Sequence, residues 1–222
     1  MSFIVAIDGP AGTGKGTMAE ILSKKYNLLN IDTGATYRCV TLEMLNKNIG
    51  MDEEEKIAEM LKTINIELKL EDGKQKVFLN GEDVTEEIRS KRVSEKVSPV
   101  SSIIQIRTAM TSLQRKMAQG KNVIMEGRDI TTVVFPTADV KIYLDADVEV
   151  RAQRRFKQNQ EKGIEMSYEE ILENIKKRDK NDMEKEVGAL KVAPDAVVID
   201  TTKMTVKQQA DAMSKVIDKV LK

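Results

Sequence analysis

Ten residues near the amino end, Asp8-Gly9-Pro10-Ala11-Gly12-Thr13-Gly14-Lys15-Gly16-Thr17, restrict the fold of this 222-residue chain more than any other stretch. Gly9 to Lys15 have the spacing G-x-x-x-x-G-K. The run before them, Phe3 to Ile7, is short, β-branched and not alternating, as in a strand buried on both faces. The run after them places Met18, Ile21, Leu22 and Tyr26 at helical spacing. Strand, glycine-rich turn and helix in that order make a concave nest of N–H groups at a helix N-terminus, which is a phosphate site. Lys15 adds a mobile cation able to bridge β- and γ-phosphates, and Thr17 can offer its hydroxyl. The Ser or Thr that commonly follows the lysine is Gly16 here. An accompanying metal is therefore expected to be held by phosphate oxygens and water, and no residue is assigned to it as a ligand.

The rest of the chain repeats the strand–helix alternation. Leu28 to Ile31, Asn122 to Glu126, Val140 to Leu144 and Ala196 to Ile199 read as further buried strands. Helices are expected over Ala35 to Leu45, Met51 to Ile64, Asp147 to Gln160, Tyr168 to Lys185 and Val206 to Leu221. Glu86 to Gln119 is expected to be largely helical, with a break at Pro99. Such alternation predicts a parallel sheet covered on both sides. Ile66 to Thr85 breaks the rhythm. It alternates with period two through Ile66, Leu68, Leu70, Val77 and Leu79, and carries the turn pairs Asp72-Gly73 and Asn80-Gly81. It reads as an antiparallel unit inserted into the βα pattern.

Composition removes several chemistries. With no histidine and a single cysteine, Cys39, neither a Ser-His-Asp triad nor a His/Cys zinc site can be built. One cysteine makes no internal disulfide, so no oxidising compartment is required. Lys plus Arg equals Asp plus Glu at 36 each, which argues against a protein that coats nucleic acid. No window reaches the ~18 apolar residues of a membrane span. The start lacks a leader pattern. A cytoplasmic protein with neither a nucleic-acid nor a membrane partner is the expectation.

Three further segments offer groups for an anionic ligand. Asp32 to Arg38 follows the second strand; Thr33 can donate a hydroxyl and Arg38 a planar fork, while a helix cap with a solvated Arg38 fits equally well. Arg128-Asp129 follows the third strand, as an anion and amine reader or as a surface ion pair in a turn. Arg178, Asp182 and Lys185 fall at i, i+4 and i+7 on one helix face. With Arg151, Arg154 and Arg155 they flank a polar segment centred on Gly163. That arrangement reads as a lid over polyphosphate or as a solvated, salt-bridged helix pair. A GTPase-type switch would want Asn-Lys-x-Asp, which is absent. The loop alone leaves open a kinase for another small acceptor, such as UMP or a metabolite, and a nucleotide-dependent binding switch.

Taken in order, IDGPAGTGKGT, DTGATYR, NGEDVTEEIRS, EGRDITTVVFPTADVKIYLDA, RRFKQNQEKG and IKKRDKND resemble the bacterial cytidylate kinases over nearly the whole chain. The resemblance implies an α/β P-loop NTPase fold with a five-stranded parallel core, an inserted β-rich NMP-binding subdomain and a helical lid. It implies one kinase domain over 1–222, with core at about 1–62, 100–153 and 187–222, insert at about 63–99 and lid at about 154–186. It implies transfer of the γ-phosphoryl of ATP to CMP or dCMP with Mg²⁺, and favours a monomer. Gly9, Pro10, Ala11, Gly12, Thr13, Gly14, Lys15, Gly16 and Thr17 then hold ATP. Thr33 and Tyr37 fall on the acceptor side, Arg38 and Arg128 grip the CMP phosphate, and Ser98, Arg107 and Asp129 read the cytosine. Arg178 and Asp182 contact the sugar, with Arg178 also near the transferring group, so Lys15, Arg128 and Arg178 are the catalytic set. Lys185 stands where the family commonly has Arg, keeping the charge without the bidentate fork, and Ala189 replaces a frequent proline.

Overall fold

In the computed structural model, residues 2–71, 74–161 and 163–221 are described. The expected Asp72-Gly73 turn lies outside them. β1 (Ile4–Asp8) runs parallel to both β6 (Val123–Gly127) and β7 (Val140–Asp145), and β7 runs parallel to β8 (Val197–Asp200). With β2 (Leu29–Asp32) they form a five-stranded parallel sheet in the order β2-β6-β1-β7-β8. β1 lies at its centre because Val5, Ala6 and Ile7 can be covered on both faces, and each is fully buried.

The chain divides into two compact units. The first, residues 1–30 and 118–222, carries the sheet core with α1 (Lys15–Tyr26), α6 (Val148–Glu161), α7 (Tyr168–Glu184) and α8 (Val206–Val220). Its centre packs Val5, Ile7, Met18, Leu22, Ile124, Ile142, Leu144, Met213 and Ile217 together. A small separate cluster, Ala152, Ile171 and Ile175 with Phe156 and Tyr168 at its margin, joins α6 to α7. α7 starts on a capping box in which Ser167 and Glu170 satisfy each other's backbone N–H groups.

The second unit, residues 31–117, contains α2 (Thr33–Asn46), α3 (Glu54–Thr63), α4 (Lys91–Val100) and α5 (Ile104–Ala118, ending one residue past the boundary). It also holds an antiparallel sheet of β3 (Ile66–Glu71), β4 (Lys74–Leu79) and β5 (Glu82–Asp83). The expected period-two face is buried at its base, through Ile66, Val77 and Leu79, but Leu70 at the tip is 72% exposed. Asn80 and Gly81 both have positive φ, 52° and 91°, as a two-residue hairpin turn requires.

Two element assignments are corrected. The helical stretch does not break at Pro99, which sits in the last turn of α4; the break is at Ser101 to Ile103. Proline forbids only its own N–H bond and crowds the preceding turn, so a helix can finish around it. β8 is an edge strand rather than a buried one, with Val197 and Val198 exposed and Ile199 buried. Among the described residues, no helix is long and apolar enough to cross a membrane.

Candidate active site

The loop between β1 and α1 has the backbone of an anion cradle. Gly9, Gly12 and Gly14 have φ of 150°, 82° and 98°. Gly9 cannot be anything else: a Cβ there would lie 2.1 Å from the Leu144 carbonyl oxygen. Gly14 is the left-handed N-cap of α1 and makes no side-chain cap bond, so the first-turn N–H groups stay available to a ligand. Gly16 and Thr17 are exposed at that end, while Thr13 is buried and donates its hydroxyl to the Pro10 carbonyl, 3.1 Å away. Lys15 curls back into the loop, its Nζ 2.7 Å from the Pro10 carbonyl oxygen. Burial, with the charges of Arg128 and Arg178 beside it, lowers its pKa to about 7, partly opposed by Glu126 and Asp8.

Two arginines that belong to the segment after β7 brace this loop. Arg151 donates to the carbonyls of Ala146 (2.8 Å) and Ala11 (3.0 Å) and to Asp179 Oδ2 (2.6 Å). Arg154 donates to the Thr201 carbonyl (2.6 Å), and the Thr201 hydroxyl reaches the Thr13 carbonyl at 3.4 Å. The sequence alone allows them to be lid cations over polyphosphate or members of a solvated, salt-bridged helix pair. In this structure they are tied to backbone and carboxylate around the loop.

Arg128, Arg178, Asp182 and Lys185 come together in the same unit. Asp182 is 3% exposed and accepts from Arg128 Nε at 2.8 Å and Lys185 Nζ at 3.1 Å, with Arg178 Nε at 3.9 Å. Burial pushes the Asp182 carboxyl up, but the Arg128, Lys185 and Arg178 charges together hold it well below the usual carboxylate range. Three cations thus converge on one carboxylate, an arrangement of donors that suits a phosphate. Asp129 follows directly and is buried.

Two residues with consequences for the site gave little sequence signal. Asp8, the last residue of β1, is fully buried; its Oδ1 accepts from Ile130 N (2.9 Å) and its Oδ2 from Thr131 N (2.7 Å) and Thr131 Oγ1 (2.6 Å). Burial raises its pKa, and those hydrogen bonds offset only part of the shift. These bonds hold a single π-type turn, Ile130–Val134, that no periodicity announces. Glu126 lies next to Gly16, with Oε1 3.4 Å from where a Gly16 Cβ would stand.

The remaining candidates lie in the second unit. Thr33 is buried and opens α2, whose N-cap Asp32 accepts from Ala35 N at 3.1 Å. Arg38 folds over Gly34, where a Cβ would meet its Nη1 at 2.9 Å. Arg107 is buried, stacks on the Tyr37 ring at 5.5 Å and donates to the Ser101 carbonyl at 3.0 Å. The Ser101 hydroxyl in turn bonds the Ser98 carbonyl at 2.8 Å. Tyr37, Arg107 and the Ser98–Ser101 turn are thus linked.

A glycine loop at the C-terminal end of a central parallel strand, a lysine inside it and a guanidinium cluster acting on that lysine define a P-loop phosphotransferase. Comparison with known proteins narrows the class. A sequence model of the family described as cytidylate kinase matches residues 5–219. The cytidylate kinase of Caldicellulosiruptor bescii is 46% identical over 98% of this chain and 96% of its own length. That of Fusobacterium nucleatum is 46% identical over 99% of both chains. The chain belongs to the cytidylate kinase family. Among solved structures, an uncharacterized protein from Eubacterium ventriosum shares the fold, with a TM-score of 0.52, 14% identity, and coverage of 98% of this chain and 99% of that one.

Proposed function

We propose that this protein transfers the γ-phosphoryl group of ATP to CMP or dCMP, giving CDP or dCDP and ADP. Membership of the family supports the reaction, and the observation that carries it is the meeting of Arg128, Arg178 and Lys185 on Asp182, with Arg128 and Arg178 also acting on Lys15 of the loop. A nucleoside monophosphate has a second pKa near ~6 and reaches the site as a dianion. The acceptor therefore needs no general base, so a chain without histidine loses nothing. The chemistry needs two polyanions neutralised and set in line.

In this reading the loop from Gly9 to Thr17 holds the ATP phosphates, and Lys15 leaves the Pro10 carbonyl to meet them. Arg128 and Arg38 hold the acceptor phosphate, Thr33 and Tyr37 line the acceptor side, and Arg178 offsets charge on the group in transfer. Lys185 supports Asp182 and supplies charge without a fork, as the Lys-for-Arg difference implies. Asp129 accepts from the exocyclic amine of cytosine, while Ser98 and Arg107 serve its other edge; uracil presents a carbonyl to the same carboxylate. Asp182 and Arg178 reach the sugar.

Mg²⁺ would be held mainly by substrate phosphates and water, as is usual for this ion in phosphoryl transfer. Glu126, beside Gly16, is the carboxylate placed to accept from such water. When bound, the ion neutralises charge on the phosphoryl oxygens. The proposed functional division is a core over about 1–62, 100–153 and 187–222, an insert over about 63–99 and a lid over about 154–186 that excludes water on closing. A cytoplasmic monomer acting on small molecules, without nucleic-acid or membrane partners, completes the proposal.

A coupled assay of ADP release across CMP, dCMP, UMP, AMP and shikimate tests this reading. CMP and dCMP are expected to turn over fastest. UMP or shikimate outrunning both, or ATP binding with no acceptor-dependent ADP release, would overturn it.

A further inference from the structure

The geometry points to Asp8 as a positioning residue for the acceptor half of the site: its carboxylate sets the turn that presents Arg128 and Asp129. The inference rests on the acceptor roles proposed above for those two side chains.

Asp8 is the last residue of β1 and is paired in register with Gly127, the last residue of β6. Three residues on, its two carboxylate oxygens take the N–H groups of Ile130 and Thr131 and the Thr131 hydroxyl, at 2.6 to 2.9 Å. Arg128 and Asp129 are therefore the two residues between points that Asp8 fixes at both ends. The far side of the turn is closed by its own backbone, with Val133 N and Val134 N on the Asp129 carbonyl (2.8 and 3.1 Å) and Phe135 N on that of Ile130 (2.7 Å). Only the first N–H groups need an outside acceptor, and Asp8 supplies it from 122 residues away. A fully buried carboxylate is costly to keep, so a neutral or apolar residue would serve packing alone better. What the carboxylate adds is two acceptors in a fixed plane. An amide offers one acceptor and turns its NH₂ against a second donor.

The Asp8 carboxylate bonds the Ile130–Thr131 side of the turn, while its backbone leads directly into Gly9 of the phosphate loop. The hydrogen bonds of the side chain thus serve the acceptor side, while its charge also acts on Lys15, an effect that Thr131→Val leaves in place. The expected signature of Asp8→Asn is accordingly weighted to the acceptor: KM for CMP rises about ten-fold or more, and the CMP-over-UMP ratio of kcat/KM falls by about five-fold or more. KM for ATP moves by less than KM for CMP. Thr131→Val, which removes one of the three bonds, moves the same quantities in the same direction by less, and Thr131→Ser restores them.

Steady-state kinetics with CMP, UMP and ATP on the wild type and these variants test the inference, with melting temperature in parallel. Equal shifts in KM for CMP and ATP, or a lowered melting temperature with unchanged KM values and selectivity, would reduce Asp8 to a structural role and overturn it. Should Asp8→Asn not fold, Thr131→Val decides, and unchanged selectivity there overturns it as well. A wild type inactive on CMP defeats the underlying reading; an active wild type with an unaffected Asp8→Asn defeats this inference alone.

Discussion

Lys15 is the residue on which both charge and proton bookkeeping turn. Removing it as Lys15→Ala takes away one fixed cation from the transferring phosphates. Turnover is expected to fall by about 10²–10³-fold, the usual loss when a preorganised charge-stabilising donor is deleted. The circular dichroism spectrum should stay native, because Nζ bonds loop groups, the Pro10 carbonyl and the Thr13 hydroxyl. A variant keeping near-full kcat would remove Lys15 from the mechanism. A second outcome follows from its lowered pKa of about 7. At pH 8 most of the free protein has Lys15 neutral, whereas bound phosphates favour its charged form. ATP binding then takes up a proton, and affinity falls as pH rises above 7. Calorimetry at pH 8 in buffers of different ionisation enthalpy should show this uptake, and at pH 6 the lysine's share should vanish because it is already protonated, leaving only protons released by the phosphates. Equal buffer dependence at both pH values would contradict it.

Elements differ in how far the sequence made them legible. The loop was readable because G-x-x-x-x-G-K carries its backbone geometry in its composition, and the structure returns positive φ at Gly9, Gly12 and Gly14. Those glycines are not equivalent. Gly9→Ala drives a Cβ into the Leu144 carbonyl and is expected to cost about 3 kcal/mol or more. Gly16→Ala, whose nearest neighbour is 3.4 Å away, should cost under about 1 kcal/mol. Urea unfolding of the two variants separates them, and similar midpoints would disprove the distinction. Strands and helices announced themselves through periodicity, so α1, α2 and α6 to α8 are off by no more than about two residues. The turn Ile130–Val134 was silent because its cause, the Asp8 carboxylate, lies in another strand. For the same reason the role of Arg151 was not legible. Its partners, Ala11 and Asp179, are 140 and 28 residues away, and local spacing cannot distinguish a brace from a ligand contact.

Over the whole molecule a net charge of zero conceals sharp local imbalance. α6 and α7 are held to the phosphate loop through Arg151 and to each other by a small apolar cluster, while the segment around Gly163 is exposed. If residues 154–186 are the lid, backbone hydrogen exchange there should slow by about ten-fold or more on adding a bisubstrate ATP–CMP mimic, with α8 little changed. Unchanged exchange over 154–186 would remove the lid. The three cations near Lys15 bear on the order of the site. Guanidinium and ammonium groups this close would repel one another, and the Asp182 carboxylate holds them together through Arg128 Nε and Lys185 Nζ. If these cations grip phosphate, the same carboxylate tempers that grip enough for a newly made diphosphate to depart.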